Sequence, residues 1–254
     1  TCEKNKASAY KKMKQLQSQV MYEILADRKK DSIPDLTIIH GDCCEKIKEL
    51  KDESVNLIIT DPPWGVSNDE SQSTSDSIET FEDNPDYAFA TLRKISPDLF
   101  RVSTVQTHMY MFFATKYYTE VMGVLTQAGW EVEPIPLIWY KKTANNIYPF
   151  KKFSPTYETI FFCNKGRRYL THPSSAVFEY PPPSGKIHPT QKPVELLAEF
   201  VQLSSVVGEV VLDPFAGSGS TGKAALELKR KAILIEKEIM FVNKIKLMEV
   251  DTHE

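Results

Sequence analysis

Short apolar runs alternate with longer segments of helical periodicity along most of the chain. The apolar runs predict strands at 36–39, 55–60, 107–114, 132–140, 157–163, 210–212 and 232–235. The amphipathic segments predict helices at 45–50, 86–101, 116–128, 192–206, 220–229 and 238–249. Because strands that alternate with helices form βαβ units, this order predicts an α/β fold, with a mostly parallel sheet covered by helices on both faces.

Two segments do not fit this alternation. Residues 7–27 have apolar positions at spacings of three and four and predict an amphipathic helix whose other faces are rich in Lys and Gln. We therefore treat residues 1–34 as a basic helical arm and residues 35–254 as the main domain. The arm either packs on that domain, contacts a nucleic acid or joins it to an upstream domain, since the chain begins with Thr1 and can be a fragment. Residues 65–83, rich in Ser, Asp and Glu, predict a long loop.

The charges of this 254-residue chain are unevenly distributed around a net charge of -3. Residues 67–86 carry seven Asp or Glu and no Lys or Arg, whereas residues 141–192 carry nine Lys or Arg and two Glu. A basic face is therefore compatible with the nearly neutral total. The four cysteines lack zinc-ligand spacing, and no apolar run is long enough to span a membrane. We expect reduced thiols, no bound metal and a cytoplasmic protein of bacterial or phage type.

A Gly-rich turn follows the predicted strand 210–212. It runs Asp213-Pro-Phe-Ala-Gly217-Ser-Gly219-Ser220, and its glycines let the backbone approach a ligand and direct N–H groups at it. Glu236, at the end of the next strand, is placed to accept hydrogen bonds from both hydroxyls of a ribose. These residues predict a pocket for a nucleoside-containing cofactor.

The same turn permits other interpretations. Residues 217–223 match the first seven positions of the phosphate-binding loop G-x-x-x-x-G-K-[ST] of nucleoside triphosphatases. Position 224 is Ala, however, which lacks the hydroxyl that would bind Mg²⁺, and the candidate Mg²⁺-binding Asp61 precedes the loop instead of following it. A structural turn that binds no ligand is the third interpretation.

The second candidate site is the tetrapeptide Asp61-Pro62-Pro63-Trp64, which follows the apolar run 55–60. Two prolines stiffen the turn and remove two backbone donors, so the Asp61 carboxylate and the Pro62 carbonyl form an array of acceptors beside the ring of Trp64. An exocyclic amine of a nucleobase offers two N–H donors and a face to stack on. Acceptors for both N–H groups would free the nitrogen lone pair, and Asp61 would stabilise the positive charge that develops during alkylation. The alternative is a strand-terminating turn with a core Trp.

Together these motifs resemble the S-adenosylmethionine-dependent DNA amino-methyltransferases, which produce N6-methyladenine or N4-methylcytosine. The order resembles the permuted class, in which the catalytic motif Asp61–Trp64 precedes the cofactor loop. The segment His188-Pro-Thr190-Gln-Lys192-Pro193 resembles the family segment that leads into a helix beside the methionine moiety, and Gly41-Asp42 occupies the place of a residue near the adenine ring. The resemblance extends over residues 36–240. It implies S-adenosylmethionine as cofactor, with contacts from Asp42, Asp61, Thr190, Lys192, Asp213, Phe215, Ala216, Gly217, Ser218, Gly219, Ser220 and Glu236.

The resemblance also implies a Rossmann-like sheet of seven strands with one antiparallel strand, and the predicted strands 132–140 and 157–163 suit its hairpin. Asp61 in the first position of the catalytic motif favours N6 of adenine over N4 of cytosine. Trp64 also resembles mRNA adenine methyltransferases, so an RNA substrate stays open beside DNA. A catalytically silent nucleic-acid-binding module is the alternative outside the enzymes.

Substrate contact is predicted for two segments, 141–156 and 165–187. They combine Lys and Arg with the aromatic residues Tyr148, Phe150, Phe153, Tyr169, Phe178 and Tyr180. Such mixtures suit phosphate contact and base stacking, although they also suit ordinary surface loops. The segment Ser154-Pro-Thr-Tyr157-Glu158 leads into the second hairpin strand and is expected to line the pocket for the target base, with a plain strand position as the alternative for Tyr157. The acidic loop 67–83 is expected to be a mobile flap or to be ordered only by cofactor or substrate. Because the base must leave a duplex to reach Trp64, a body this small is expected to need a second subunit or an upstream domain.

Overall fold

The structure, a computed structural model, describes residues 35–64, 84–142, 150–151, 153–184 and 191–251. The predicted helix 7–27, the acidic loop and the residues Tyr148, His188 and Thr190 lie outside the described residues. The predicted strands and helices of the main domain are otherwise found close to the expected positions.

Nine strands and six α-helices are present in the described part of the chain. The strands are β1 Leu36–His40, β2 Val55–Thr60, β3 Ser103–Phe113, β4 Glu131–Val132, β5 Leu137–Tyr140, β6 Tyr157–Lys165, β7 Val177–Glu179, β8 Val210–Asp213 and β9 Lys231–Glu236. The helices are α1 Cys43–Lys46, α2 Pro85–Val102, α3 Tyr118–Gln127, α4 Val194–Ser204, α5 Ser220–Glu227 and α6 Ile239–Asp251. Two 3-10 turns, Ile47–Glu49 and Thr115–Tyr117, follow α1 and precede α3.

The strands form one sheet in the order β1-β9-β8-β2-β3-β6-β5-β7, with β4 also paired to β6. Strand β6 is antiparallel to its neighbours β3, β4 and β5, while the other pairings are parallel. The described strands therefore all share one direction except β6, which confirms the mostly parallel sheet with a single antiparallel strand. The carboxyl ends of β1, β9, β8, β2 and β3 consequently meet at one edge.

The sheet has nine strands and not the seven expected. The predicted strand 132–140 is interrupted, because Pro134 and Pro136 have no N–H to donate to a ladder, and it is divided into β4 and β5. The other difference is β7, a three-residue strand that pairs with β5. The sequence predicts no strand at these residues, which fall in the segment 165–187, because three residues carry almost no periodic signal.

The core explains why the central strands have lost the alternation of polar and apolar residues. All six residues of β2 are buried, since helices cover both faces of the sheet. Residues of α4 and α5, including Phe200 and Ala224, pack with Leu57 and Tyr110 on one face. Residues of α2 and α3 approach Met111 on the other. None of the described helices is long and apolar enough to cross a membrane.

Candidate active site

Four acidic residues singled out from the sequence lie at successive strand ends. Following the strand order, Asp42 comes just after β1, Glu236 ends β9, Asp213 ends β8 and Asp61 comes directly after β2. Residues more than 150 positions apart along the chain are thereby brought to the edge where parallel α/β sheets bind their ligands.

The turn after β8 is shaped by glycines with positive φ, at 49° for Gly217 and 79° for Gly219. Gly219 is the N-cap of α5, and a Cβ there would lie 2.9 Å from Ile245. The Glu236 carboxylate accepts hydrogen bonds from the backbone N–H of Gly217 at 2.7 Å and of Glu238 at 2.7 Å. These two donors fix the carboxylate beside the turn, while burial raises its pKa.

The buried Asp213 carboxylate stabilises the Gly-rich turn through hydrogen bonds. Its carboxylate accepts hydrogen bonds from the Thr221 hydroxyl at 2.6 Å and the Phe215 N–H at 3.1 Å. Burial, together with the charges of Asp61 and Glu236, raises the pKa of Asp213 to about 7. Asp213 is thus engaged in holding the loop to α5. The neighbouring residues Ala216, Ser218 and Ser220 are buried, and the Ser218 and Ser220 hydroxyls lie 3.0 Å apart.

Asp42 caps the first turn of α1, where its Oδ1 accepts a hydrogen bond from the Cys44 N–H at 2.9 Å. The ligand atoms of Asp42, Cys43 and Cys44 lie within 4.8 Å of one another, the one such group of three found in the described part of the chain. Both thiols are buried. A hydrogen bond to Cys44 and burial raise the pKa of Cys43, which opposes the thiolate form that metals require. The absence of a bound metal stays a prediction.

The tetrapeptide after β2 has the rigid form expected from its two prolines. The Trp64 Nε1–H donates a hydrogen bond to Asp61 Oδ1 at 2.8 Å, so the aromatic ring and the carboxylate hold each other. Pro62 is buried, and Trp64 is half-buried against the core. An open apolar pocket lies beside them, and its aromatic lining comprises Trp64, Phe89, Phe112, Phe113 and Tyr117.

Asp61 belongs to a group of charged side chains that also contains Lys192, Glu158 and Lys141. Lys192 Nζ lies 2.6 Å from Asp61 Oδ2 and 3.1 Å from Glu158 Oε2. Lys141 Nζ lies 2.6 Å from the other Glu158 oxygen. The Lys192 ammonium also lies over the rings of Phe112 and Trp64, at 4.8 and 5.2 Å from their centroids. The family resemblance implies that Lys192 contacts the cofactor, and in this structure it contacts Asp61 and Trp64.

Burial and charge act in opposite directions on these groups. Burial is the largest influence on Asp61 and raises its pKa, with Glu158 adding to the rise and Lys192 opposing it. Burial also disfavours ionisation of Glu158, but Lys192 and Lys141 outweigh it and lower the pKa of that carboxyl. For Lys192, burial is likewise outweighed by the two carboxylates, and its pKa is raised. Lys192 is therefore a buried ammonium ion that two carboxylates share.

Glu158 is predicted from the sequence only as part of a segment that lines the target pocket, and its ion pairs with Lys192 and Lys141 are what sequence reasoning missed. A charged residue at the second position of β6, just before its apolar stretch, was the available signal for Glu158. Its partners Lys141 and Lys192 come from the residue after β5 and from the segment before α4, and their proximity depends on the tertiary structure.

The segments predicted to contact substrate are only partly exposed. Phe150, Phe153 and Tyr169 project into solvent, and Tyr157 is half-exposed. Phe178, in contrast, is a core residue of β7 that packs edge-on against Phe200. The prediction of a surface position was wrong for Phe178, because pairing of β7 with β5 turns its ring inward.

Tyr180 and several basic residues are also engaged inside the domain. The Tyr180 hydroxyl donates to Glu199 at 2.6 Å, and Tyr180 packs against the core. Arg168 forms a buried ion pair with Glu209, and Lys165 donates to two backbone carbonyls. The basic face is thus smaller than the count of Lys and Arg in residues 141–192 suggested, because some of these charges serve the fold.

Comparison with known proteins identifies the family. Residues 55–247 match a family model described as DNA methylase, the N6/N4 methylase family. The chain belongs to this family. The match contains the tetrapeptide, the Gly-rich turn and Glu236. Membership argues against the nucleoside triphosphatase interpretation, as does the buried side chain of Ala224, which offers no hydroxyl.

Named relatives agree with this assignment. The chain is 29% identical over 251 residues to the Type II methyltransferase M.HinfI of Haemophilus influenzae, covering 84% of this chain and 68% of that protein. It is 27% identical over 229 residues to the Type II methyltransferase M.HpaI of Haemophilus parainfluenzae, covering 80% of this chain and 70% of that protein.

Solved structures share the fold. The crystal structure of an M1.HpyAVI–SAM complex aligns with a TM-score of 0.66 at 24% identity, over 84% of this chain and 98% of that one. The cytosine-N4-specific PvuII DNA methyltransferase aligns with a TM-score of 0.67 at 15% identity, over 84% of this chain and 87% of that one. Both likenesses support the Rossmann-like methyltransferase fold.

Proposed function

We propose that this DNA methylase transfers a methyl group from S-adenosylmethionine to the exocyclic N6 of adenine in DNA. The observation that carries the proposal is the position of Asp61 and Trp64 at the end of β2, beside the Gly-rich turn at the end of β8. These two strands are hydrogen-bonded neighbours in the sheet. An amine acceptor and a cofactor loop on adjacent strand ends suit the transfer of a small group between two ligands.

The residues of the turn fit a nucleoside-containing cofactor. Gly217 and Gly219 allow close approach of the backbone, and the Glu236 carboxylate is fixed by two N–H donors at the neighbouring strand end. Each Glu236 oxygen retains a lone pair with which it can accept from a ribose hydroxyl. The relative described as an M1.HpyAVI–SAM complex supports S-adenosylmethionine as that cofactor. Asp42, one strand further along the edge, would approach the adenine ring, while Phe215 and Thr190 stay predicted contacts.

When bound, S-adenosylmethionine supplies an electrophilic methyl group on a sulfonium. The Asp61 carboxylate and the Pro62 carbonyl accept hydrogen bonds from the target amine, which directs the nitrogen lone pair out of the ring plane toward that methyl carbon. The new N–C bond forms as the S–C bond breaks, and the sulfur keeps the electron pair. Asp61 stabilises the positive charge that develops on nitrogen, which then loses a proton. Trp64, held to Asp61 by its indole N–H, provides the stacking surface.

Adenine is proposed over cytosine because Asp61 occupies the first motif position. DNA is proposed as the substrate because of the family, with Phe150, Phe153 and Tyr169 as exposed candidates for contact with bases. The arm at residues 1–34 and a second subunit are candidates for the help that base flipping requires. We expect the protein to act in the cytoplasm, where bacterial or phage DNA is accessible.

The test is incubation with S-adenosylmethionine that carries a labelled methyl group and mixed-sequence DNA, with RNA in parallel, followed by digestion and identification of the nucleoside. Labelled N6-methyldeoxyadenosine is expected. Label on cytosine or only in RNA would replace the proposed substrate, and binding of DNA without any label would indicate a silent module. The Glu236→Gln variant should weaken cofactor binding by a factor of about 10 to 150, since a hydrogen bond to a charged group contributes about 1.5–3 kcal/mol.

A further inference from the structure

Glu158 and Lys192 form a charged pair that reaches the catalytic motif from two other parts of the chain. Glu158 is the second residue of the antiparallel strand β6, and Lys192 precedes α4. Only 8% of the Lys192 side chain and 14% of the Glu158 side chain are exposed. Burying a charge costs several kcal/mol unless the charge is paired, so this arrangement requires a compensating contact for each group.

One oxygen of the Glu158 carboxylate, Oε2, has an ion-pair contact but no regular hydrogen bond from the described residues. Lys192 Nζ lies 3.1 Å from Glu158 Oε2, yet this buried oxygen receives no hydrogen bond of normal geometry from the described residues. The shorter approach of Lys192, 2.6 Å, is to Asp61. The Lys192 ammonium is therefore closer to Asp61, and Glu158 is a second negative charge beside the same ammonium.

We propose that Glu158 is a positioning residue for Asp61 and acts through Lys192, whose ammonium group the two carboxylates share. In this arrangement Lys192 keeps the buried Asp61 ionised and oriented, and Glu158 limits how strongly the ammonium neutralises Asp61. The inference rests on the proposed function of Asp61. It assigns Lys192 to the amine-acceptor side of the site, whereas the family resemblance implied contact with the cofactor.

The surroundings of Asp61 support this assignment. Among the described residues, the charged groups near Asp61 are Lys192 and Glu158, with Lys141 paired to Glu158 and Asp213 at the end of the neighbouring strand. Among these, Lys192 is the cation in contact with Asp61. Without it, the Asp61 and Glu158 carboxylates would lose the cation that they share, and the pKa of Asp61 would rise further. A protonated Asp61 would be a weaker acceptor for the target amine and could not stabilise the cationic nitrogen.

The first experiment uses the protein without cofactor or DNA. The indole N–H of Trp64 donates to Asp61, so its NMR chemical shift reports ionisation of that carboxyl. The chain has three tryptophans, and the Trp64→Phe variant assigns the signal. In Lys192→Met the midpoint of the Trp64 titration should rise by about one pH unit or more, because an opposite charge at this range shifts a carboxyl by about 1–3 units. In Glu158→Gln it should fall, and in the double variant it should lie between the single variants.

The second experiment measures kcat and the KM for S-adenosylmethionine in the same variants. Lys192→Met should lower kcat about 100-fold, the scale for loss of one preorganised electrostatic contact, with KM changed less than about threefold. Glu158→Gln should lower kcat in the wild-type background but raise it severalfold in the Lys192→Met background, where Glu158 is only a like charge beside Asp61. This reversal of sign is the signature of an effect transmitted through Lys192.

Controls separate this inference from the proposed function and from misfolding. Lys48→Met removes an exposed ion-paired lysine, 3.0 Å from Glu45, and should leave the Trp64 titration and kcat unchanged. Thermal unfolding checks that each variant is folded. A wild-type protein that never methylates DNA would overturn the proposed function, whereas the Trp64 titration would still test the shared ammonium. Equal effects of Glu158→Gln in both backgrounds, or a rise confined to KM in Lys192→Met, would overturn the positioning role.

Discussion

Two buried polar clusters lie against the same central strands and differ in how their hydrogen bonds are completed. The Asp61 cluster comprises Asp61, Trp64, Glu158 and Lys192. The His108 cluster comprises His108, Tyr110, Ser204, Arg168 and Glu209. The first contains a buried carboxylate oxygen that lacks a well-formed hydrogen bond from the described residues, and the second satisfies each of its side chains.

The hydrogen bonds of His108, Ser204 and Tyr110 form a chain in which every donor has an acceptor. His108 Nε2 lies 3.0 Å from the Arg168 carbonyl, which can only accept, so the neutral ring must carry its proton there. His108 Nδ1 then accepts from the Ser204 hydroxyl at 2.7 Å, and Ser204 accepts from Tyr110 at 2.7 Å. Burial, with the charge of Arg168, lowers the pKa of His108 to about 4. The cluster is therefore complete only with a neutral histidine.

The difference distinguishes a structural from a functional polar cluster. A complete network stabilises one arrangement and leaves little capacity to bind anything else. The Asp61 cluster retains ionised groups and hydrogen-bond acceptors at a strand end beside a pocket. Such a cluster stabilises the fold less than a completed hydrogen-bond network would. Substitutions in the two clusters should consequently separate activity from stability.

The largest expected effect is on activity, in Asp61→Asn. The substitution preserves size but removes the charge that would stabilise the developing cation, so methyl transfer should fall roughly 10³-fold. Cofactor affinity should change little, and the unfolding temperature should fall less than in Glu209→Gln, because the buried Lys192 keeps Glu158 as a counter-charge. Labelled-methyl transfer, calorimetric binding and thermal unfolding measure the three quantities. Loss of cofactor affinity in this variant would show that Asp61 has been assigned the wrong role.

The next effect is on stability, in Glu209→Gln. Arg168 and Glu209 form an ion pair with side chains only 10% and 8% exposed, and Glu209 also accepts from the Val206 N–H at 2.9 Å. Removing one partner leaves a buried guanidinium without its counter-charge, which should lower the free energy of unfolding by about 3 kcal/mol. Denaturant titration measures it. The rate of methyl transfer per folded molecule should match the wild type, and a large fall in that rate would break the distinction between the clusters.

A smaller effect is expected from pH. Because the pKa of His108 is lowered from 6.5 to about 4, the unfolded state binds its proton first as the pH falls. Stability from His108 is thus full above pH 6.5 and is lost between pH 6.5 and 4, by at most about 3 kcal/mol. Asp213, with its pKa raised to about 7, acts in the opposite direction over an overlapping window. The observable is therefore the difference in unfolding free energy between wild type and His108→Asn, and a difference independent of pH would contradict a neutral buried His108.

The smallest effect is expected in Tyr110→Phe. The substitution removes only the hydroxyl that donates to Ser204, whereas the ring stays stacked on Phe200 at 4.3 Å between centroids. One lost hydrogen bond should lower the free energy of unfolding by about 1 kcal/mol, with no change in methyl transfer. Denaturant titration beside Glu209→Gln gives the comparison. A loss as large as that of Glu209→Gln would mean that the network, and not the ion pair, dominates the stability of this cluster.

Much of the fold was predictable because the local signals were strong. Apolar runs located the central strands, and Gly217, Gly219 and the two prolines after Asp61 marked the turns at strand ends. The break in the strand 132–140 was missed, although Pro134 and Pro136 are visible in the sequence. The short β7 was not predicted, since a three-residue pairing depends on the neighbouring strand. Phe178 was misplaced for the same reason, because its burial comes from pairing with β5 and contact with α4.

By itself the sequence determined the family, the ends of the central strands and the residues proposed for the site, because these depend on contiguous motifs whose chemistry is local. Tertiary structure alone decided which charges meet. Glu158 and Lys192 lie 34 positions apart, and nothing in their local sequence indicates that they share one ammonium beside Asp61. The tertiary structure brings the start of β6 and the segment before α4 to the end of β2. Because the side chains are buried there, the ionisation of each one depends on the charges of the others.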